Sequence, residues 1–187
     1  EDPSMQVSRT LIEEQSDESS DCLAGYRLVF PETVFFENCD SEVEASVLEA
    51  GNVFSDLGAS IKHGSFDAAN AALALNPKGL VIAAEAYYSN RKWIDEYFHE
   101  LDPVVSHRII KGRDVTAIEY LDIQNGLTSL RKQAIDFFDA TDALLVPTVM
   151  IPPATLANCQ SSVEAYSKIN VSCLRNTAIG NILNLSA

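Results

Sequence analysis

A strand, a capped helix and a second strand follow one another between residues 26 and 63, and this succession narrows the fold more than any other feature of the chain. Tyr26-Arg27-Leu28-Val29-Phe30 is rich in β-forming apolar residues and runs into Pro31, which reads as a buried strand entering a turn. In Asp40-Ser41-Glu42-Val43-Glu44, Ser41 precedes Glu44 by three positions, the spacing of a capping box in which each side chain satisfies a free backbone N–H. Val43, Val47, Ala50, Phe54 and Leu57 then recur at intervals of four and three and predict one apolar helical face. Gly58 stands where a left-handed C-cap is wanted, and Ala59-Ser60-Ile61-Lys62-His63 reads as the next strand. The order predicts an α/β fold, a sheet covered by helices.

The rest of the chain supplies those helices. Residues 66–101 are helical in character, with Phe66, Ala69, Leu73, Ile82, Tyr87, Trp93, Tyr97 and Phe98 as apolar mass. Asn76-Pro77-Lys78-Gly79 and Asp102-Pro103 interrupt the run. Asp114 is positioned to cap a long helix reaching about Phe138, whose buried face is Ile123, Leu127, Leu130, Ala134 and Phe137. Asp142-Ala143-Leu144-Leu145-Val146-Pro147-Thr148 reads as another buried strand, with Pro147 at its end or at a bulge because proline lacks an N–H. Residues 149–162 read as a proline-containing loop, and Tyr166 to Ala187 as a small, apolar, asparagine-rich final segment. Residues 1–24 are polar and acidic and read as a solvated lead-in or linker, leaving 25–187 as the folded unit.

A formal net charge of −14 argues against nucleic-acid and anionic-membrane partners, because such a surface repels phosphate. No apolar run approaches the roughly 18 residues that span a bilayer. Cys22, Cys39, Cys159 and Cys173 are too far apart for a zinc or redox motif and read as reduced thiols, which with the absent leader suggests a cytoplasmic protein.

Reactive constellations are scarce. Glu96 and His99, three positions apart on a helix, form half of a di-metal motif whose second half is missing, so no metal is expected. There is no G-x-S-x-G elbow, no Walker loop and no dinucleotide fingerprint, and no cofactor is implied. Ser19-Ser20 and Ser161-Ser162 lack flanking glycines that would let backbone N–H groups approach a substrate oxygen.

The order of short motifs is more telling than any one of them. Tyr26–Pro31 with the capped helix and Leu57-Gly58-Ala59, then His107-Arg108-Ile109-Ile110-Lys111-Gly112, resemble successive segments of the amidase signature family. So do Ala117 with Tyr120 and the helix carrying Arg131, the Asp142–Thr148 strand, and Leu174-Arg175-Asn176-Thr177 followed by Asn181 and Leu185-Ser186-Ala187. The resemblance covers residues 26–187, is closer to a general amidase than to a glutamine-handling component of a transamidosome, and corresponds to the C-terminal part of that fold.

The resemblance implies a mixed sheet covered by helices and, for a whole enzyme, cleavage of a small-molecule amide by a serine, a second serine in a cis peptide and a lysine base. It implies that the stretch carrying those groups precedes the matched region. No catalytic residue is therefore expected in this chain, and Lys62, Lys78, Lys92, Lys111, Lys132 and Lys168 lack the required neighbours. Arg108, Tyr120, Pro147 and Thr148 are its candidates for lining a substrate pocket, against the simpler reading that Arg108 pairs with a local carboxylate and Tyr120 packs in the core. The implied partners are the amide substrate of the full-length enzyme, the missing N-terminal catalytic segment and, optionally, a second copy in a homo-oligomer. The alternative is a non-catalytic binding or interaction protein built on the same fold.

Overall fold

The computed structural model describes residues 22–186; the lead-in expected over residues 1–24 lies almost entirely outside them. Three strands, β1 (Arg27–Pro31), β2 (Ser60–Gly64) and β3 (Ala143–Leu144), form a parallel sheet in the order β2-β1-β3. Arg27 to Pro31 pair with Ser60 to Gly64, and Leu28 and Val29 pair with Ala143 and Leu144. The α/β class holds, and the expected mixed sheet is represented among the described residues by parallel strands. Central β1 is buried from Leu28 to Pro31, whereas β2 is largely exposed, as its place at the edge dictates. The strand expected over Asp142–Thr148 pairs only at Ala143–Leu144, and its residues 143–146 are half-buried rather than buried.

Helix α1 (Ser41–Asp56) connects β1 to β2. Its cap corrects the sequence expectation. Asp40, one residue earlier than Ser41, is the N-cap, and its carboxylate accepts from the Glu42 N–H at 2.9 Å. Aspartate fills that role as well as serine. The C-terminal turn is as expected, with Gly58 at φ +95°. The apolar face is only half covered: Val43, Val47, Phe54 and Leu57 are partly exposed and Ala50 is exposed, while Gly51 is buried. A Cβ at Gly51 would stand 2.5 Å from the Phe30 ring, so glycine is what lets α1 rest on β1 here.

The remaining helices are α2 (Asp67–Leu75), α3 (Leu80–Tyr97), α4 (Pro103–Ile109), α5 (Ala117–Phe138), α6 (Leu156–Gln160) and α7 (Val163–Leu183). Both expected breaks are present: a 3-10 turn spans Pro77–Gly79, and Asp102 caps α4 through the N–H groups of Val104 and Val105. The start of α5 departs from expectation, because Thr116 caps it rather than Asp114. Thr116 and Glu119 form a reciprocal capping box, which satisfies two backbone donors where Asp114 would satisfy fewer. The face read from spacing is the buried one: Ile123, Leu127, Leu130 and Ala134 are enclosed and Phe137 is partly so. The segment 149–162, expected to be a loop, contains α6, and the final apolar segment is the long helix α7. Phe66, Ala69, Ala72, Leu127, Ile179 and Leu183 bring α2, α5 and α7 into one core. Gly112, in the turn after α4, lies against α3, where a Cβ would overlap the carbonyl oxygen of Ala83. Among the described residues no helix is long and apolar enough to cross a membrane.

Candidate functional site

Parallel sheets present their ligand-facing loops beyond the carboxyl ends of the strands. In this chain those loops are residues 32–39 after β1, the end of β2, and residues 145–150 after β3. The loop after β1 is closely held. Its Glu32 N–H extends the ladder to the Gly64 carbonyl at 2.7 Å, and its Val34 N–H donates to Asn70 Oδ1 of α2 at 3.2 Å. Thr33, Val34 and Phe35 are buried, and Asn38 takes a left-handed conformation (φ +55°), which asparagine tolerates better than most residues.

Two neighbouring residues of α7 complete the hold. Buried Asn176 donates through Nδ2 to the Phe35 carbonyl at 2.9 Å and to the Pro147 carbonyl at 2.7 Å, which ties the loops after β1 and β3 together. The Arg175 guanidinium donates to the Glu37 carbonyl at 2.7 Å, the Phe35 carbonyl at 3.1 Å and Asn176 Oδ1 at 3.1 Å. Burial pulls the pKa of Arg175 down, and the charges of Glu37 and Cys39 oppose that pull. The thiol of nearby Cys39 is pushed up, chiefly by burial and next by the charge of Glu44. The Asp40 N–H donates to the Met150 carbonyl at 2.8 Å, so the cap of α1 is fixed to the same edge.

Above this scaffold lies an open groove of about 410 Å³ between the loop after β1, the end of β2 and the first turns of α1. The opposite, amino-terminal edge of the sheet is closed by an ion pair. Arg27 Nη2 meets Asp142 Oδ1 at 2.8 Å, and the Arg27 backbone N–H donates to Asp142 Oδ2 at 2.7 Å. The Arg27 side-chain and backbone hydrogen bonds hold the Asp142 carboxyl down at about 2.

The four residues expected to line a pocket are distributed over two regions. Pro147 is buried at the carboxyl edge with its carbonyl on Asn176, and Thr148 beside it is exposed. Tyr120 is half-buried on α5; its hydroxyl donates to Glu85 Oε1 of α3 at 2.8 Å and accepts from Gln124 Nε2 at 3.1 Å. The hydrogen bond to Glu85 is the first cause of its raised pKa, followed by burial. Arg108 is exposed on α4. Among the described residues no hydrogen bond joins Arg108, Tyr120 and Pro147. Arg175 and Asn176 carry the tie between loops that sequence reading left unassigned; their only signal was membership of the Leu174–Thr177 motif. Cys22, Cys39, Cys159 and Cys173 are unpaired, and among the described residues no group of His, Cys, Asp and Glu is arranged to hold a metal ion.

Comparison with known proteins bears out the resemblance to the amidase family. The chain is 30% identical over 167 residues to a 2-amino-5-chloromuconic acid deaminase of Comamonas testosteroni, a match covering 87% of this chain and 35% of that protein. It is 25% identical over 166 residues to an amidase of Pseudomonas putida, covering 86% of this chain and 34% of that one. It is 28% identical over 181 residues to a glutamyl-tRNA(Gln) amidotransferase component of Chromohalobacter salexigens, covering 83% of this chain and 37% of that one. The chain thus spans about a third of the length of these curated relatives. No solved structure matches it. The family model for amidases matches residues 1–187, and the chain belongs to the amidase family.

Proposed function

We propose that this chain is the C-terminal portion of an amidase-like C–N hydrolase, whose whole form cleaves a small-molecule amide through a serine, a cis-peptide serine and a lysine base. On this reading the chain alone carries no catalytic residue and is inactive. The observation that carries it is coverage: the amidase family model matches throughout, yet the chain spans about a third of its relatives. The lysines support it. A lysine acts as a base near neutral pH only when burial lowers its pKa. Lys62, Lys92, Lys111, Lys132 and Lys168 are all exposed. A serine hydroxyl needs its base within hydrogen-bond reach, and among the described residues no serine hydroxyl is hydrogen-bonded to the side-chain nitrogen of any of these five lysines.

In this proposal the chain contributes the carboxyl edge of the sheet, with Pro147 and Thr148 at the substrate side and Arg108 and Tyr120 as further lining residues. A cytoplasmic setting belongs to the same reading, and the four unpaired cysteines suit a reducing compartment. The open groove at the sheet edge also favours a second reading, a non-catalytic binding protein on the amidase fold. Amide turnover separates the two. The chain should release no ammonia or amine from a panel of aliphatic and aromatic amides, while a version extended upstream by the remaining amidase sequence should do so. Turnover by the 187-residue chain itself would contradict the first reading, and an inactive but well-folded extended version would favour the second.

A further inference from the structure

We propose that the outer edge of β2 is completed by the lead-in of the same chain, residues 5–12 adding to the sheet as a strand antiparallel to β2. Among the described residues the sheet stops at β2, although this strand has backbone groups left over. The Ser60 N–H donates to the Tyr26 carbonyl at 2.8 Å, and the Gly64 carbonyl accepts from the Glu32 N–H at 2.7 Å. Backbone groups of successive strand residues point to opposite sides, so the N–H and C=O of Ile61 and His63 face away from β1. Such a row is a template for another strand unless it is bulged, heavily charged or interrupted by proline. β2 pairs with β1 in unbroken register, contains no proline and carries one charged side chain, Lys62.

The point at which the chain enters the described structure selects the occupant. The Leu23 N–H donates to the Leu57 carbonyl at 2.9 Å, three residues before β2 begins, so the lead-in arrives at the amino end of that strand. Nine residues separate Ile12 from Cys22. Extended, they reach about 30 Å, whereas neighbouring strands lie only about 5 Å apart. A segment that leaves the β2 edge at its amino end runs antiparallel to β2. The parallel sense would end at the carboxyl end and need a return along the whole strand.

Pattern and charge agree with that occupant. In Met5-Gln6-Val7-Ser8-Arg9-Thr10-Leu11-Ile12, Met5, Val7 and Leu11 fall on one side with Arg9, and Gln6, Ser8 and Thr10 fall on the other. This is the alternation of a strand with one covered face. Residues 1–21 hold seven acidic residues and one basic residue. Lys62 is exposed and forms no ion pair among the described residues. The same lysine disfavours a second copy of the chain, because two β2 strands paired about their middle would set Lys62 opposite Lys62. The inference stands apart from the amide-hydrolase reading, since it concerns the lead-in of this chain and needs no turnover.

The test is amide exchange and nuclear Overhauser contacts on the isotope-labelled 187-residue chain. Antiparallel backbone contacts between residues 5–12 and 60–64 are expected, with the Ile61 and His63 amides exchanging about tenfold more slowly than solvated edge amides. Val7→Pro and Ser8→Pro probe the two alternations of the added strand, because proline has no N–H to donate. One of the two should remove the contacts and speed exchange at Ile61 and His63 by about tenfold, while Lys62, whose backbone faces β1, keeps its rate. Free exchange at Ile61 and His63 in the unaltered chain, absence of contacts with residues 5–12, or protection that both variants retain would each overturn the proposal. Protection that grows with protein concentration, alongside a dimer in sedimentation, would give the edge to a second copy and overturn it too. The unaltered chain decides the matter even if a variant does not fold.

Discussion

Where α2, α5 and α7 meet, Phe66, Ala69, Leu127 and Ile179 are at most 2% exposed, whereas Leu48 and Val53 of α1 are 37% and 52% exposed. The two regions have comparable apolar sequence but different cover. The helical core is closed by its own residues. Helix α1 rests on β1 through Gly51 and leaves most of its apolar face open. The contrast separates two kinds of packing beside the carboxyl edge: the helical core reaches that edge through Val34 and Phe35 of the loop after β1, whereas α1 on the other side of the groove is lightly packed.

Substitutions can break or sharpen this contrast. The largest effect is expected from Leu127→Ala in the closed core, about 2–5 kcal/mol of lost stability, read from urea unfolding. Val53→Ala in the open layer should stay within about 0.5 kcal/mol; equal losses at the two sites would erase the distinction. Asn176→Ala removes the donor that joins the Phe35 and Pro147 carbonyls and should cost about 1–3 kcal/mol. It should also speed amide exchange at Val34 and Glu37, because the loop after β1 loses a tie to α7. Gly112→Ala forces a Cβ into the backbone of α3 and should cost a similar 1–3 kcal/mol, about the cost of overpacking.

The smallest effect concerns the amino-terminal edge of the sheet. The Asp142 carboxyl is held at about 2 against an ordinary 3.8. A depressed carboxylate contributes stability that is fully present above its unfolded value and is lost as pH falls through its folded value. The contribution should therefore fade between about pH 4 and pH 2, and Asp142→Asn should flatten that part of the stability profile. An unchanged acid limb in the variant would show that the Arg27 pair contributes nothing there.

Local patterns carried the parts of the fold that are written locally. The four-and-three spacing of Ile123, Leu127, Leu130 and Ala134 named the buried face of α5, and the succession from Tyr26 to His63 named the parallel strand–helix–strand unit. Caps shifted by one or two residues because equivalent acceptors compete: Asp40 stands beside Ser41, and Thr116 with Glu119 outdoes Asp114. Helix α7 was hidden by its serines, asparagines and glycine, whose weak propensities give way to burial of Asn176, Ile179, Ile182 and Leu183. The site was the least legible part. The bonds from Arg175 and Asn176 to Phe35 span about 140 positions and go to backbone carbonyls, which carry no side-chain signature.

The central claim is that this chain holds amidase sequence without an activated serine. Fluorophosphonate labelling of the purified chain, read by intact mass and peptide mapping, tests it most directly. The account predicts no adduct on any serine under conditions that label the extended enzyme stoichiometrically. A stoichiometric adduct on one serine of the chain alone, abolished by replacing a single lysine, would contradict it.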